Sequence, residues 1–171
     1  RRLQKGEIVE IEIDSLAHGG AGVGRADGYV VFARGGLPGD RVRAEITLSK
    51  KRFAEARVIE LLESGPDRQP ERAPHPGAMW QALDYPAQLA AKEAQVREAL
   101  ERFGEFDLST IEIDPIVPAG EDHGDPAIWN YRNKIDPSFS RMRYDVVPPK
   151  DFVRETVLGY KKKGQWFWPL D

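Results

Sequence analysis

Three short runs set cations beside aromatic rings, the pairing needed to hold a polyanion and stack on its bases. Ser49–Phe53 reads SKKRF and places Lys50, Lys51 and Arg52 ahead of Phe53. Tyr131–Lys134 reads YRNK and sets Arg132 and Lys134 beside Tyr131. Gly159–Trp168 reads GYKKKGQWFW, with Lys161, Lys162 and Lys163 between Tyr160 and the rings of Trp166, Phe167 and Trp168. Cations neutralise phosphates, and rings stack on unpaired bases. Strand alternation must turn some of the last rings inward, so Phe167 and one neighbouring tryptophan read as core. The candidate contacts to RNA phosphates are Lys50, Lys51, Arg52, Arg132, Lys134, Lys161, Lys162 and Lys163. Phe53 and Tyr131 are the candidate stacking rings.

Other chemistries find little support. His18, His75 and His123 form no H-x-x-x-H pair, and the chain has no cysteine. A zinc site, a disulfide and a cysteine nucleophile within this chain are therefore not expected, and no metal ligands are assigned. No Ser–His–Asp arrangement can be picked out, and no catalytic residue is assigned. The glycine-rich stretch Ser15–Asp40, SLAHGGAGVGRADGYVVFARGGLPGD, invites comparison with a phosphate cradle. Gly20 and Gly22 have the first spacing of a dinucleotide fingerprint, but Arg25 stands where its last glycine belongs. No G-K-[ST] follows, and the run leads into a strand rather than a helix N-terminus, so no helix dipole awaits a pyrophosphate. The glycines read as sharp reversals between strands.

The 171 residues suffice for one domain or two small ones, and a 40% hydrophobic share supports a packed core. No apolar run approaches the ~20 residues of a membrane helix. The charged start RRLQKGEIVE shows no secretory h-region, so a cytoplasmic protein is expected. The net charge of −3 is unevenly spread: +1 over residues 1–64, −8 over 65–128 and +4 over 129–171. A basic surface assembled from the two ends, with an acidic middle facing elsewhere, fits this distribution.

The elements that position the first basic run are strands. Val9, Ile11 and Ile13 alternate with Glu10 and Glu12. GYVVFA, Gly28–Ala33, is a second, more apolar strand. Over Asp40–Leu48 the alternation places Val42, Ala44 and Ile46 inward and Arg41, Arg43 and Glu45 outward. Phe53–Glu63 reads as a last strand, with a short helix as the alternative. Four or five short strands joined by Gly/Pro turns suggest a small OB-type barrel. Ser64–Gly77 carries four prolines and reads as a linker. The clearest helix follows, with Pro86 in its first turn and Gly104 at its stop. Leu89, Val96, Leu100 and Phe103 form a stripe expected to be core. Beyond it, STIEIDPIVPAG, WNYRNKIDPSFS and ETVLGYKKKGQWFW show alternation or aromatic runs, and Glu121–Pro126 is a polar turn. The fold class is thus mainly β with an α+β second part: a five-stranded OB-like barrel, a helix and a small β-rich domain.

The stretch from KGEIVEIEI through RVIELLESGPDR resembles a TRAM domain, an OB-like RNA-binding barrel. The later WQALDYPAQLAAKEAQVREAL, WNYRNKI and VLGYKKKGQW resemble the central region of RNA uracil-5 methyltransferases. The resemblance covers nearly the whole chain and implies a TRAM domain at 1–64, a linker at 65–79 and a central α+β domain at 80–171. It also implies structured RNA, ribosomal or transfer, as partner, and S-adenosylmethionine as methyl donor of the full-length enzyme. In that family a cysteine attacks carbon 6 of uracil, which makes carbon 5 nucleophilic toward the methyl group. Both the donor site and the cysteine belong to a Rossmann-like domain that this chain does not contain, so no cofactor is expected on this chain itself. The family often carries an iron–sulfur cluster ahead of the Trp-Gln element. Here Ala73 and Ala78 stand where cysteines are expected, which argues against such a cluster. The alternatives are a stand-alone, non-catalytic TRAM-type RNA-binding protein and a barrel devoted to protein contacts. A monomer without membrane association is expected.

Overall fold

The computed structural model describes residues 2–72, 78–122, 125–126, 128–129, 134, 136–140, 150–151, 156–160 and 168–169. The chain divides into two compact units, one of Arg1–Arg72 with Met79–Ile116 and one of Ala73–Ala78 with Val117–Asp171.

Five strands of the first unit close into a barrel: β1 (Ile8–Leu16), β2 (Gly22–Ala26), β3 (Tyr29–Arg34), β4 (Arg41–Ser49) and β5 (Phe53–Glu63). Neighbours around the barrel run β1-β2-β3-β5-β4, with β4 returning to β1. Only the β3–β5 pair is parallel; the other four are antiparallel. The alternation in the sequence is realised directly. Ile11, Ile13, Val42, Ala44 and Ile46 are buried, joined by Val31, Ala33, Ala54, Ala56 and, from the N-terminal segment, Leu3. Register shifts in the β1–β2 and β4–β5 ladders bend the strands so that a short sheet can close.

The glycine run departs from the expectation of turns alone. Asp27 and Gly28 form the β2–β3 hairpin tip with positive φ at both residues (47° and 79°), as a tight two-residue turn requires. Gly22 and Gly24, however, lie inside β2, a strand absent from the sequence reading. Both are buried. A Cβ at Gly24 would sit 2.2 Å from the carbonyl oxygen of Glu12, so these glycines let β2 press closely on β1.

The segment after β5 is held by Asp40. This carboxylate is fully buried and accepts from the backbone N–H groups of Leu37 (2.7 Å) and Gly65 (2.9 Å). Arg68 donates to both its oxygens, at 2.9 Å from Nε and 2.7 Å from a terminal nitrogen, and also to the carbonyl of Gly35. Burial pushes the Asp40 carboxyl up, but the bonds from Arg68, Gly65 and Leu37, with the Arg68 charge, outweigh it and hold the group below its ordinary value. Gln69 N–H then donates to Ala82 O, and Asp84 N–H to Asp67 O. Residues 65–69, within the expected linker, are therefore tied to the barrel and to residues 82–84 just ahead of the helix.

Helix α1 (Tyr85–Arg102) starts on Asp84, whose side chain accepts from Ala87 N–H at 2.8 Å, with Pro86 in the first turn. Gly104 follows its end, and the Gly104 N–H donates to Ala99 O. The expected core stripe is corrected. No residue of α1 is buried, and Val96 and Phe103 are 54% and 78% exposed. The helix instead turns its small residues toward the barrel. Ala87 packs against the cluster of Leu37, Ala82 and Leu83, as do Leu16 and Trp80, and Gln95 donates to the carbonyl of Ala17. The next alanines of that face, Ala90, Ala91 and Ala94, line a cavity shared with Ser15, Leu16, Pro38 and Leu83.

In the second unit, β6 (Glu121–Asp122) and β7 (Asp125–Pro126) pair, as the polar-turn reading of Glu121–Pro126 anticipates. β8 (Ser138–Ser140), β9 (Val157–Tyr160) and β10 (Trp168–Pro169) form a three-stranded antiparallel sheet. The strand-like alternation of residues 109–120 does not become a strand. Pro115 and Pro118 remove the N–H donors that a ladder would need there.

Candidate nucleic-acid interface

The β4–β5 connection is a tight turn. The Lys50 N–H donates to the carbonyl of Phe53 at 2.9 Å, which pushes the intervening side chains outward. Lys50, Lys51 and Arg52 are exposed, and Phe53 begins β5 half-buried. The structure thus brings these four predicted residues together at one corner of the barrel. Arg2, also exposed, donates to the carbonyl of Ser49 at 3.2 Å and adds a cation beside the turn.

Strand periodicity extends the corner into a face. With Val31, Ala33, Ala54 and Ala56 buried inside, the alternate residues of β3 and β5 must point out. Val30, Phe32 and Arg34 of β3 therefore share an outer surface with Phe53, Glu55 and Arg57 of β5, and with Val23 and Arg25 of β2. The register sets Val30 opposite Phe53, Phe32 opposite Glu55 and Arg25 opposite Val30. The rings of Phe32 and Phe53 meet edge to face, with centroids 5.7 Å apart and planes at 78°. Among the described residues, Arg25, Lys50, Lys51 and Arg52 have no carboxylate partner, whereas Arg57 is paired with Glu45 at 3.0 Å.

Sequence reasoning missed Arg25, Phe32 and Arg34 in this face. Arg25 and Phe32 are hidden in the sequence because glycines mask β2 as a turn and the apolar run of β3 masks its two faces. The available signal was period two counted from Val31 and Ala33. Lys134 lies in the second unit, exposed, 4.0 Å from Asp136. Tyr131, Arg132, Lys161, Lys162 and Lys163 lie outside the described residues. The described residues hold no cluster of three or more metal-ligating side chains and no helix long and apolar enough to cross a membrane.

A closed five-stranded barrel with a cationic, aromatic outer face is of the OB class. Residues 2–59 match the TRAM domain family, and the barrel is a TRAM domain. The chain is 36% identical to a protein of Halalkalibacterium halodurans named as an uncharacterized RNA methyltransferase, over 77% of this chain and 28% of that one. Similar proteins under the same description occur in Gloeobacter violaceus (36% identity, 99% of this chain, 35% of that one) and Thermosynechococcus vestitus (36%, 94% and 33%). The chain spans about a third of the length of these relatives.

Proposed function

We propose that this chain is the RNA-recognising, N-terminal part of an S-adenosylmethionine-dependent RNA uracil-5 methyltransferase acting on ribosomal or transfer RNA, a cytoplasmic monomer. The observation that carries the reading is the cationic turn Lys50–Arg52. Among the described residues it has no carboxylate partner, and it stands on a TRAM barrel whose chain matches proteins named as RNA methyltransferases over nearly its full length. The barrel grips the phosphate backbone, and the second unit, with Lys134 and its Tyr131, Arg132 and Lys161–Lys163 runs, adds contacts that position an unpaired uridine.

The methyl donor does not fit the residues of this chain. Gly22 and Gly24, the part of the glycine run nearest to a donor loop, are built into strand β2, and the run leads into β3 rather than a helix. There is also no cysteine to attack uracil. Bond-making is therefore assigned to a further part of the protein, and the work of this chain is binding and orientation.

Titrating the chain with transfer RNA and with ribosomal RNA fragments at two salt concentrations tests the proposal. Binding should weaken steeply with salt, by a slope of roughly 0.7–0.9 per phosphate neutralised. Salt-independent binding would remove the phosphate assignment. Methyl transfer to carbon 5 of uracil by the longer protein, measured on both RNA classes, tests the reaction and selects the substrate.

A further inference from the structure

We propose that the cleft between helix α1 and the barrel is a binding site for a linear aliphatic polyamine. Its floor is the alanine face of α1, and its opposite wall is built from Leu16, Pro38 and Leu83; its volume is about 430 Å³. The polar side chains that reach it are Ser15, Asp67, Gln95 and Glu98, and no lysine or arginine lines it. Asp67 stands by the start of the helix, where its backbone carbonyl takes the Asp84 N–H. Its carboxylate has no cation partner among the described residues. Gln95 and Glu98 stand further along the same helix. Gln95 spends its amide nitrogen on the carbonyl of Ala17, which leaves its side-chain oxygen as an acceptor. Glu98 is paired with Arg102 one turn on, an exposed pair that little energy holds in place.

The chemistry selects the ligand. The cleft offers acceptors at its two ends and an apolar floor between them. An ammonium group has donors and no acceptor, and a methylene chain lies well on alanine. A polyamine carries both in alternation. Its length follows from the helix: from Ala87, beside the Asp67 end, to Gln95 and Glu98 is roughly 12–16 Å along the axis. A four-carbon diamine is too short to join those ends, and a tetra-amine is long enough. Other occupants fit less well. A peptide would bring backbone carbonyls that find no donor on these side chains. RNA would meet carboxylates, and one metal ion cannot bridge acids so far apart. The −8 balance of residues 65–128 adds a general attraction for a polycation. The site is therefore selective for a long, flexible cation and lies apart from the Lys50–Arg52 turn.

The test is isothermal titration of the full 171-residue chain with spermine and, separately, with putrescine, in the absence of RNA. Spermine should bind one per chain and about tenfold or more tighter than putrescine. Asp67→Asn should weaken spermine about tenfold. Ala91→Leu, which fills the cleft with apolar bulk, should abolish binding. Glu101→Gln removes the same charge from an exposed position of α1 outside the cleft and should leave the affinity within a factor of about two. Melting followed by circular dichroism identifies a variant that fails to fold. Ala90→Leu, at an exposed position of the same floor, then takes the place of Ala91→Leu. Absence of spermine binding, equal affinity for putrescine, or parent-like binding by a folded, filled variant would overturn the site. So would equal losses in Glu101→Gln and Asp67→Asn, which would reduce the effect to a general attraction between opposite charges. None of these results bears on the RNA reading, whose phosphate contacts lie elsewhere.

Discussion

The two sides of the barrel use their cations differently. Along β1, β4 and the end of β5, Arg41 is 2.8 Å from Glu63, and Arg43 bridges Glu10 at 3.3 Å and Glu60. On β2 and at the β4–β5 turn, Arg25, Lys50, Lys51 and Arg52 have no such partners among the described residues. The first side is electrostatically closed upon itself; the second is open to an external anion. The near-zero balance of residues 1–64 therefore conceals a segregated surface, with the unpaired cations gathered on one side of the barrel.

The comparison is sharpest at its buried extreme. The Arg68 side chain is 15% exposed and its partner Asp40 fully buried. Replacing it in Arg68→Met strands a buried carboxylate and should cost about 3 kcal/mol or more in denaturant unfolding. The salt dependence of RNA binding should not change. The open side gives the next largest effect. The triple variant Arg25→Ala, Lys51→Ala, Arg52→Ala should weaken RNA binding by roughly 50-fold and lower the salt slope by about 2, with little change in melting. An unchanged slope would break the distinction between the two sides.

A pH titration of stability probes the same buried carboxylate. The Asp40 value is held below the ordinary 3.8 in the folded chain. Its contribution is therefore fully present above the unfolded value and is lost as pH falls through the folded one. Urea midpoints should drop below about pH 4, and Asp40→Asn should flatten that part of the curve. The smallest effect is expected on the closed side. Arg43→Ala should change stability by no more than about 1 kcal/mol, because its pairs are solvent-screened. It should leave RNA affinity within a factor of about two. An RNA defect as large as that of the open-side triple would show that paired arginines also contribute.

Much of this architecture was legible. Ile11, Ile13, Val42, Ala44 and Ile46 fell on the inner face because strand alternation is a local property. The SKKRF turn was legible because a break in apolar periodicity between two strands leaves charged residues no other place. Strand β2 was hidden because glycine in a strand looks like a turn until the approach of Glu12 shows why a side chain is excluded. The helix stripe misled for a related reason. Leu89, Val96, Leu100 and Phe103 satisfy helical spacing, but which face packs depends on the surface that receives it. Here Leu37, Ala82 and Leu83 take Ala87 from the helix.

By itself the sequence determined the strand alternation, the cationic turn, the absence of a cysteine nucleophile and the start and stop of α1. Each follows from residues a few positions apart, where backbone geometry alone dictates the outcome. Only the tertiary structure decided which arginines are neutralised, that Phe32 joins Phe53, and that Asp40 ties residues 65–68 to the barrel. Those outcomes join residues 12 to 33 positions apart, such as Arg57 with Glu45 and Gly35 with Arg68. They depend on strand register and barrel closure, which no local pattern encodes.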